Sequence, residues 1–206
     1  MMMNIITISR EFGSGGRELG KRLADLLGYD YYDREIITGI ATQKGLNEKY
    51  VEETLENRTW QAVPLTFRSS FASANMMQQA QTSLLVAQKR VIEGIVNAGK
   101  NCVIVGRNAD VLVSDEKPFN IFVCAEMEAK IRRCMERAPE GENLSRRDIE
   151  QNIRRIDKNR ARTREFLGGS KWGNGSTYHL TINTTEWNIK ELAPAAAEFV
   201  IRWFRR

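Results

Sequence analysis

The stretch from Asn4 to Leu27 constrains the fold of this chain more than any other. Ile5, Ile6 and Ile8 form a short β-branched run suited to a buried parallel strand. Gly13, Gly15 and Gly16 follow, where the backbone can turn sharply and approach a ligand closely. Leu19, Leu23, Leu26 and Leu27 then recur at helical spacing, with Lys21, Arg22 and Asp25 on the other side. Strand, glycine loop and helix in this order point free backbone N–H groups and a helix N-terminus at a phosphate.

The usual phosphate loop, G-x-x-x-x-G-K-[ST], is matched only in part, and two alignments compete. Aligned from the strand end, Gly13 and Gly15 fall on glycine positions, Arg10 replaces the first glycine and Gly16 replaces the lysine. Aligned on the cation, Gly16-Arg17 stands for Gly-Lys in a loop one residue longer, and Glu18 and Leu19 occupy the region of the magnesium-holding Ser or Thr. The second is favoured, because donors without a cation close to the phosphates make a poor nucleotide site. It makes Gly13, Ser14, Gly15, Gly16, Arg17 and Glu18 the candidates for donor phosphates. A glycine-rich turn with no ligand is the plainer reading of the same residues.

Length and composition bound the rest. The 206 residues suit one α/β domain with a small insertion, and 42% hydrophobic content supplies a core. No apolar run reaches membrane-spanning length, and the Met-rich start lacks a secretory core, so no membrane partner is expected. Cys102, Cys124 and Cys134 are odd in number and lack metal-ligand spacing; buried reduced thiols and a cytoplasmic location are the expectation. His179 is the only histidine, so no triad or zinc site can be built on it. The net charge of +5 suits an anionic partner, and basic residues cluster at Lys130–Arg137 and Arg146–Arg164. Carboxylates lie among them, which fits a compact polyanion site as readily as a nucleic-acid surface.

In chain order, Tyr29–Tyr32 reads as a second strand after a stop at Gly28, and Asp33 is placed to cap a helix running to about Gln43. Asn47–Arg58 reads as another amphipathic helix. Thr59–Met77 has no clear period, and its aromatic and Met residues read as packing more readily than as an acceptor-binding region. Gln78–Ala98 is a long helical pattern, Cys102–Gly106 and Phe119–Val123 are apolar strands, and Ala125–Arg137 and Ser145–Phe166 are helical. His179–Asn183 is the last strand and Asn188–Phe204 the last helix. Five strands alternating with helices give a parallel sheet covered on both faces.

These residues reach a family resemblance over nearly the whole chain. The chain resembles the cytidylate kinase-like branch of the P-loop nucleoside monophosphate kinases. Ile8-Ser-Arg-Glu-Phe-Gly-Ser-Gly-Gly-Arg-Glu-Leu-Gly20 matches that branch's phosphate-loop variant. Tyr31-Tyr32-Asp33 resembles the end of the second strand, where the family binds its acceptor, which brings in Asp33 and Arg34. Val103–Arg107 resembles the third strand and its Asp-Gly-Arg motif, whose arginine binds the acceptor phosphate; Arg107 takes that place, with Asp110 close by. Arg155–Arg160 resembles the Asp-Arg-x-Arg lid, so that Asp157 and Arg160 are its candidates, and Tyr178–Thr184 matches the closing strand.

The resemblance implies one P-loop kinase domain over 1–206, strand order 2-3-1-4-5 and a lid at about 138–170; the family's usual acceptor insertion is absent, and the stretch at about 45–80 reads from its own residues as a helical insertion. It also implies an ATP-dependent phosphotransferase acting on a nucleotide or another small phosphorylated or hydroxyl-bearing acceptor. Such chemistry asks mainly for positioning and charge neutralisation, for which arginines are suited. Arg17, Arg107, Asp157 and Arg160 are the catalytic candidates, and Arg133 joins the loop residues around ATP. The chain departs from the family at Val105, where an Asp linked to magnesium is usual, at Asn108, and in lacking the loop Ser or Thr. Magnesium is therefore expected to be held through ATP and water, with Glu18 or Asp110 assisting. A non-catalytic nucleotide-binding regulator, and less favoured a nucleic-acid-binding module on the basic lid, remain the other classes; the oligomeric state is not legible.

Overall fold

The computed structural model describes residues 3–56, 70–138 and 145–206. The chain divides into two compact units, Met1–Asp33 with Ala98–Arg206, and Arg34–Asn97. In the first, β1 (Ile5–Arg10), β2 (Asp30–Tyr32), β3 (Cys102–Val105), β4 (Phe119–Cys124) and β5 (Leu180–Asn183) form one sheet, all pairs parallel, in the order β2-β3-β1-β4-β5. This is the strand order that the resemblance implies.

The central position of β1 follows from its composition. All six of its residues are buried, which a near-continuous apolar run tolerates only where both sheet faces are covered. Leu19, Leu23 and Ala24 of α1 (Gly16–Leu27) and Ala193, Ala197 and Val200 of α8 (Ile189–Phe204) form one core with Ile6, Ile8, Val103, Ile121 and Val123. The buried stripe of α1 is Gly16, Leu19, Gly20, Leu23 and Ala24, which leaves Leu26 at its edge and 55% exposed. The apolar face read from the leucines alone is thus rotated towards the two glycines. A second cluster joins α6 (Met127–Glu136) to α7 (Arg146–Phe166) through Ile131, Ile149 and Ile153, with Phe12 packed against it. Ser145 caps α7, accepting the Asp148 N–H at 3.2 Å, and Asn188 caps α8, accepting the Lys190 N–H at 2.9 Å.

The second unit holds α2 (Arg34–Lys44), α3 (Glu48–Glu56) and α4 (Ser70–Asn97), each packed on the other two. Ile36, Ile40, Val51, Leu84 and Ile92 are buried there. The unit extends beyond the expected insertion at both ends. Of the stretch Thr59–Met77, residues up to 69 lie outside the described residues, and from Ser70 the backbone is already α4. The long helix therefore starts earlier than its periodic apolar residues suggest. Residues 139–144, at the start of the expected lid, also lie outside the described residues.

A short helix, α5 (Ala109–Leu112), follows β3 and was not expected from the periodicity. Its Asp110 is buried and forms an ion pair with buried Arg164 of α7, which also donates to the Ser170 carbonyl at 2.8 Å. Ser9 Oγ donates to the other Asp110 oxygen at 3.3 Å. Removing one member of a buried pair strands the other charge, so Asp110→Ala should lower the unfolding free energy by about 3–5 kcal/mol. Urea unfolding reads this; a loss below about 1 kcal/mol, the value of an exposed pair, would contradict it.

Candidate functional site

The site is built where β1 and β3 end. β1 runs to Arg10 and α1 opens at Gly16, so the loop between them is Glu11–Gly15 alone. Gly13 and Gly15 have φ of 76° and 81°, the left-handed region that glycine enters without strain. The loop is fixed from outside: Thr184, after β5, donates to the Ser14 carbonyl at 2.7 Å, and Phe12 N–H donates to Asp157 at 2.7 Å. Ser14 Oγ donates to the Glu11 carbonyl at 2.8 Å. Among the described residues the N–H groups of Gly15, Gly16 and Arg17 donate to no carbonyl, leaving the opening turn of α1 with its donors outward.

Arg10 is the cation nearest the centre of this arrangement. Its guanidinium is buried, forms an ion pair with Asp33 at 3.6 Å, and lies against Gly106, where a methyl group would overlap Nη1. Its pKa is lowered to about 9, by burial first and then by Arg160, Arg107 and Arg17, while Asp33 opposes them. Arg17, whose side chain is 52% exposed, forms an ion pair with Asp33 at 2.5 Å. Arg17, Arg107 and Arg160 thus surround Arg10 with positive charge, and Asp33, paired with Arg10 and Arg17, is the carboxylate that opposes them.

Arg107 is placed by an unusual turn. Gly106, Arg107 and Asn108 have φ of 74°, 56° and 51° in succession, and the last two are not glycine. Such residues cost about 1–3 kcal/mol each and concentrate at functional sites. The turn is held at its start by the Gly106 N–H, which donates to the Ile8 carbonyl at 2.8 Å, and it leads directly into α5.

The lid candidates Asp157 and Arg160 brace the loop from α7. Arg160 donates to the Arg10 carbonyl at 3.0 Å, and its guanidinium lies 5.8 Å from the Phe12 ring centre. Lys130 of α6 bonds Glu11 at 2.9 Å and lies 3.6 Å from Asp157. Of the remaining candidates, Glu18 pairs with Arg22 at 3.0 Å and Arg137 at 2.6 Å. Arg133 donates to Thr184 Oγ1 at 3.0 Å and to the Thr184 and Trp187 carbonyls, tying down the segment after β5. Asp110 is enclosed by Arg164 and Ser9, and Arg34 opens α2 in the second unit. Arg164, at the end of the basic cluster Arg146–Arg164, is buried against Asp110 and Ser170 rather than facing an anionic ligand. Glu11, Lys130 and Thr184 escaped sequence reasoning because their partners are distant in the chain, and each looks like an ordinary polar residue.

Direct magnesium ligation is not matched by these side chains. Among the described residues no group of three or more His, Cys, Asp or Glu stands together as a metal site. Glu18, Asp33 and Asp110 each face an arginine.

Burial pushes the Asp157 carboxyl up to about 6, against the Phe12 N–H, Arg160 and Lys130, which lower it, and with Glu11 adding to the rise. A carboxyl raised in the folded protein binds more protons there than in the unfolded chain, so its contribution to stability is present at low pH and lost as pH rises through about 6. Between pH 4 and 6 the wild type should therefore lose stability relative to Asp157→Asn, as read by unfolding both at several pH values. A difference between them that does not change with pH would contradict this.

Residues 5–186 match the model of the cytidylate kinase-like family. No curated protein matches the chain. Among solved structures, an uncharacterized protein from Eubacterium ventriosum is 22% identical, covering 96% of this chain and 98% of its own, with a TM-score of 0.68. Shikimate kinase from Acinetobacter baumannii, in complex with shikimate, is 13% identical over 97% and 94% of the two chains, with a TM-score of 0.56. TT1252 from Thermus thermophilus is 16% identical over 98% of both, with a TM-score of 0.53. At these identities the structures speak for the fold, and the family match covers most of the chain: it belongs to the cytidylate kinase-like family.

Proposed function

We propose that this protein transfers the γ-phosphoryl group of ATP to a small acceptor, a nucleotide or another phosphorylated or hydroxyl-bearing molecule. The observation that carries this reading is the gathering of Arg17, Arg107 and Arg160 near buried Arg10, with Asp33 pairing Arg10 and Arg17, beside the N–H groups that open α1. Even with Lys130 counted against Asp157 and Glu11, the cations outnumber the carboxylates. A surplus of guanidinium charge at a helix N-terminus suits a polyphosphate, and phosphoryl transfer asks little more of a protein than positioning and charge neutralisation.

In this reading the N–H groups of Gly15, Gly16 and Arg17 hold the donor phosphates, with Gly13, Ser14 and Glu18 shaping the loop around them, and Asp157 and Arg160 keep the loop in place. Arg133 fixes the segment after β5 on the nucleotide side. Arg107 binds an anionic group of the acceptor and Asp33 accepts a hydrogen bond from its hydroxyl, with Arg34 the next residue along. Magnesium enters as the ATP chelate, held by ATP oxygens and water, and supplies charge neutralisation. The pairing of Asp33, Glu18 and Asp110 with arginines also favours a second reading, a regulator that binds ATP without turning it over.

Single-turnover measurements with magnesium-ATP and a panel of nucleosides, nucleotides and small hydroxy acids test the proposal. Phosphoryl transfer to one acceptor class is the expected result; ATP binding with no transfer to any would favour the regulator, and no ATP binding would refute both. Arg107→Lys keeps the charge and loses the bidentate fork, so the acceptor KM should rise by about tenfold or more with the ATP Kd unchanged. An equal weakening of both would take Arg107 out of the acceptor role.

A further inference from the structure

We propose that the cation missing from the loop's lysine position is supplied from the strand side by Arg10, whose guanidinium contacts the transferred phosphoryl group. This rests on the phosphotransfer reading above. With β1 ending at Arg10 and α1 opening at Gly16, Arg10, Gly15 and Gly16 occupy the places of the first glycine, the second glycine and the lysine. The strand-anchored alignment is therefore the one realised in the fold, and Arg17 sits one residue inside the helix.

Three observations single out Arg10. A Cβ at Gly16 would lie 2.7 Å from Arg10 Cβ and 3.3 Å from Arg10 Cγ, so the space through which a residue-16 side chain would leave the helix is filled by the arginine stem. At its other end the guanidinium lies on the bare backbone of Gly106, next to the turn that carries Arg107. The side chain thus runs from the donor loop to the start of the acceptor turn, the interval that a phosphoryl group crosses. Finally, the buried guanidinium has one ion pair among the described residues, at 3.6 Å, with a carboxylate that Arg17 approaches to 2.5 Å. A buried cation with so little compensation is costly, and the pKa lowered by burial and three arginines reports the same deficit. A phosphoryl oxygen would supply the missing charge, and a guanidinium can bind it through two N–H groups.

The exchange Arg10→Gly with Gly16→Lys rewrites the loop as G-x-x-x-x-G-K and moves the cation from strand to helix without changing the net charge. Calorimetric ATP affinity, single-turnover rate and thermal midpoint are measured for both single variants and the double. Arg10→Gly should weaken ATP binding by about tenfold or more and slow transfer by about a hundredfold, the scale of a lost charge-assisted contact in the transition state. Gly16→Lys alone should also be impaired, since both side chains then claim one space. The double variant should recover at least about tenfold of the transfer rate lost in Arg10→Gly. Should Arg10→Gly fail to fold, Arg10→Lys keeps a cation in the same volume, and its transfer rate should fall with little change in thermal midpoint.

Arg10→Gly or Arg10→Lys retaining wild-type affinity and rate would overturn the proposal, as would a folded double variant no faster than Arg10→Gly. Loss of ATP affinity in Arg17→Met with full retention in Arg10→Gly would move the role to Arg17, leaving the phosphotransfer reading intact. A wild type that binds no ATP fails the reading itself and this proposal with it.

Discussion

The constraint on which the site depends is the burial of one arginine side chain, its stem against Gly16 and its guanidinium against Gly106. A charge taken out of water must be matched or it destabilises the fold by several kcal/mol. Arg10 is held in that position from every side. Gly16 gives room to its stem, Gly106 to its head, Asp33 supplies the nearest negative charge, and Arg160 grips its carbonyl. A methyl group at either glycine would collide with it. The termini of β1 and β3 and the first turn of α1 are thus spaced by a single side chain.

Around that centre, the chain spends ion pairs on holding a backbone loop in shape. Glu11 is bound by Lys130 and by the Ala125 N–H at 3.2 Å, while Asp157 receives the Phe12 N–H. Thr184 and Arg133 brace the other flank of the loop. These residues come from α6, α7 and the segment after β5, so the loop is fixed by elements far from it in sequence. Such fixing matches what phosphoryl transfer needs, since donors set in advance cost no reorganisation when charge develops.

The parts of this structure legible in the sequence are those governed by local patterns. Ile5, Ile6 and Ile8, Cys102–Val105 and Phe119–Val123 announced buried strands, and Ser145 and Asn188 stood where helices begin. The strand order came through family resemblance. What was hidden depends on three-dimensional partners. Arg10 looked like a departure from a motif, because the glycines that accommodate it, Gly16 and Gly106, have no shared pattern in sequence. The successive left-handed residues Arg107 and Asn108 are likewise invisible, since neither residue type requires that conformation. Asp110, a ligand candidate by sequence, is taken by Arg164 from the helix that covers the expected lid, a partner 54 residues away in the chain.

The central claim is that a polyphosphate lies on the opening of α1 and against the Arg10 guanidinium. Its most direct test is a titration of the isotopically labelled protein with a non-hydrolysable ATP analogue, following the Arg Nε–H and backbone amide resonances by NMR. The account predicts that the Arg10 Nε–H and the amides of Gly13–Arg17 shift together and saturate with one dissociation constant. Amide shifts with Arg10 unmoved, or saturation at other residues only, would contradict it.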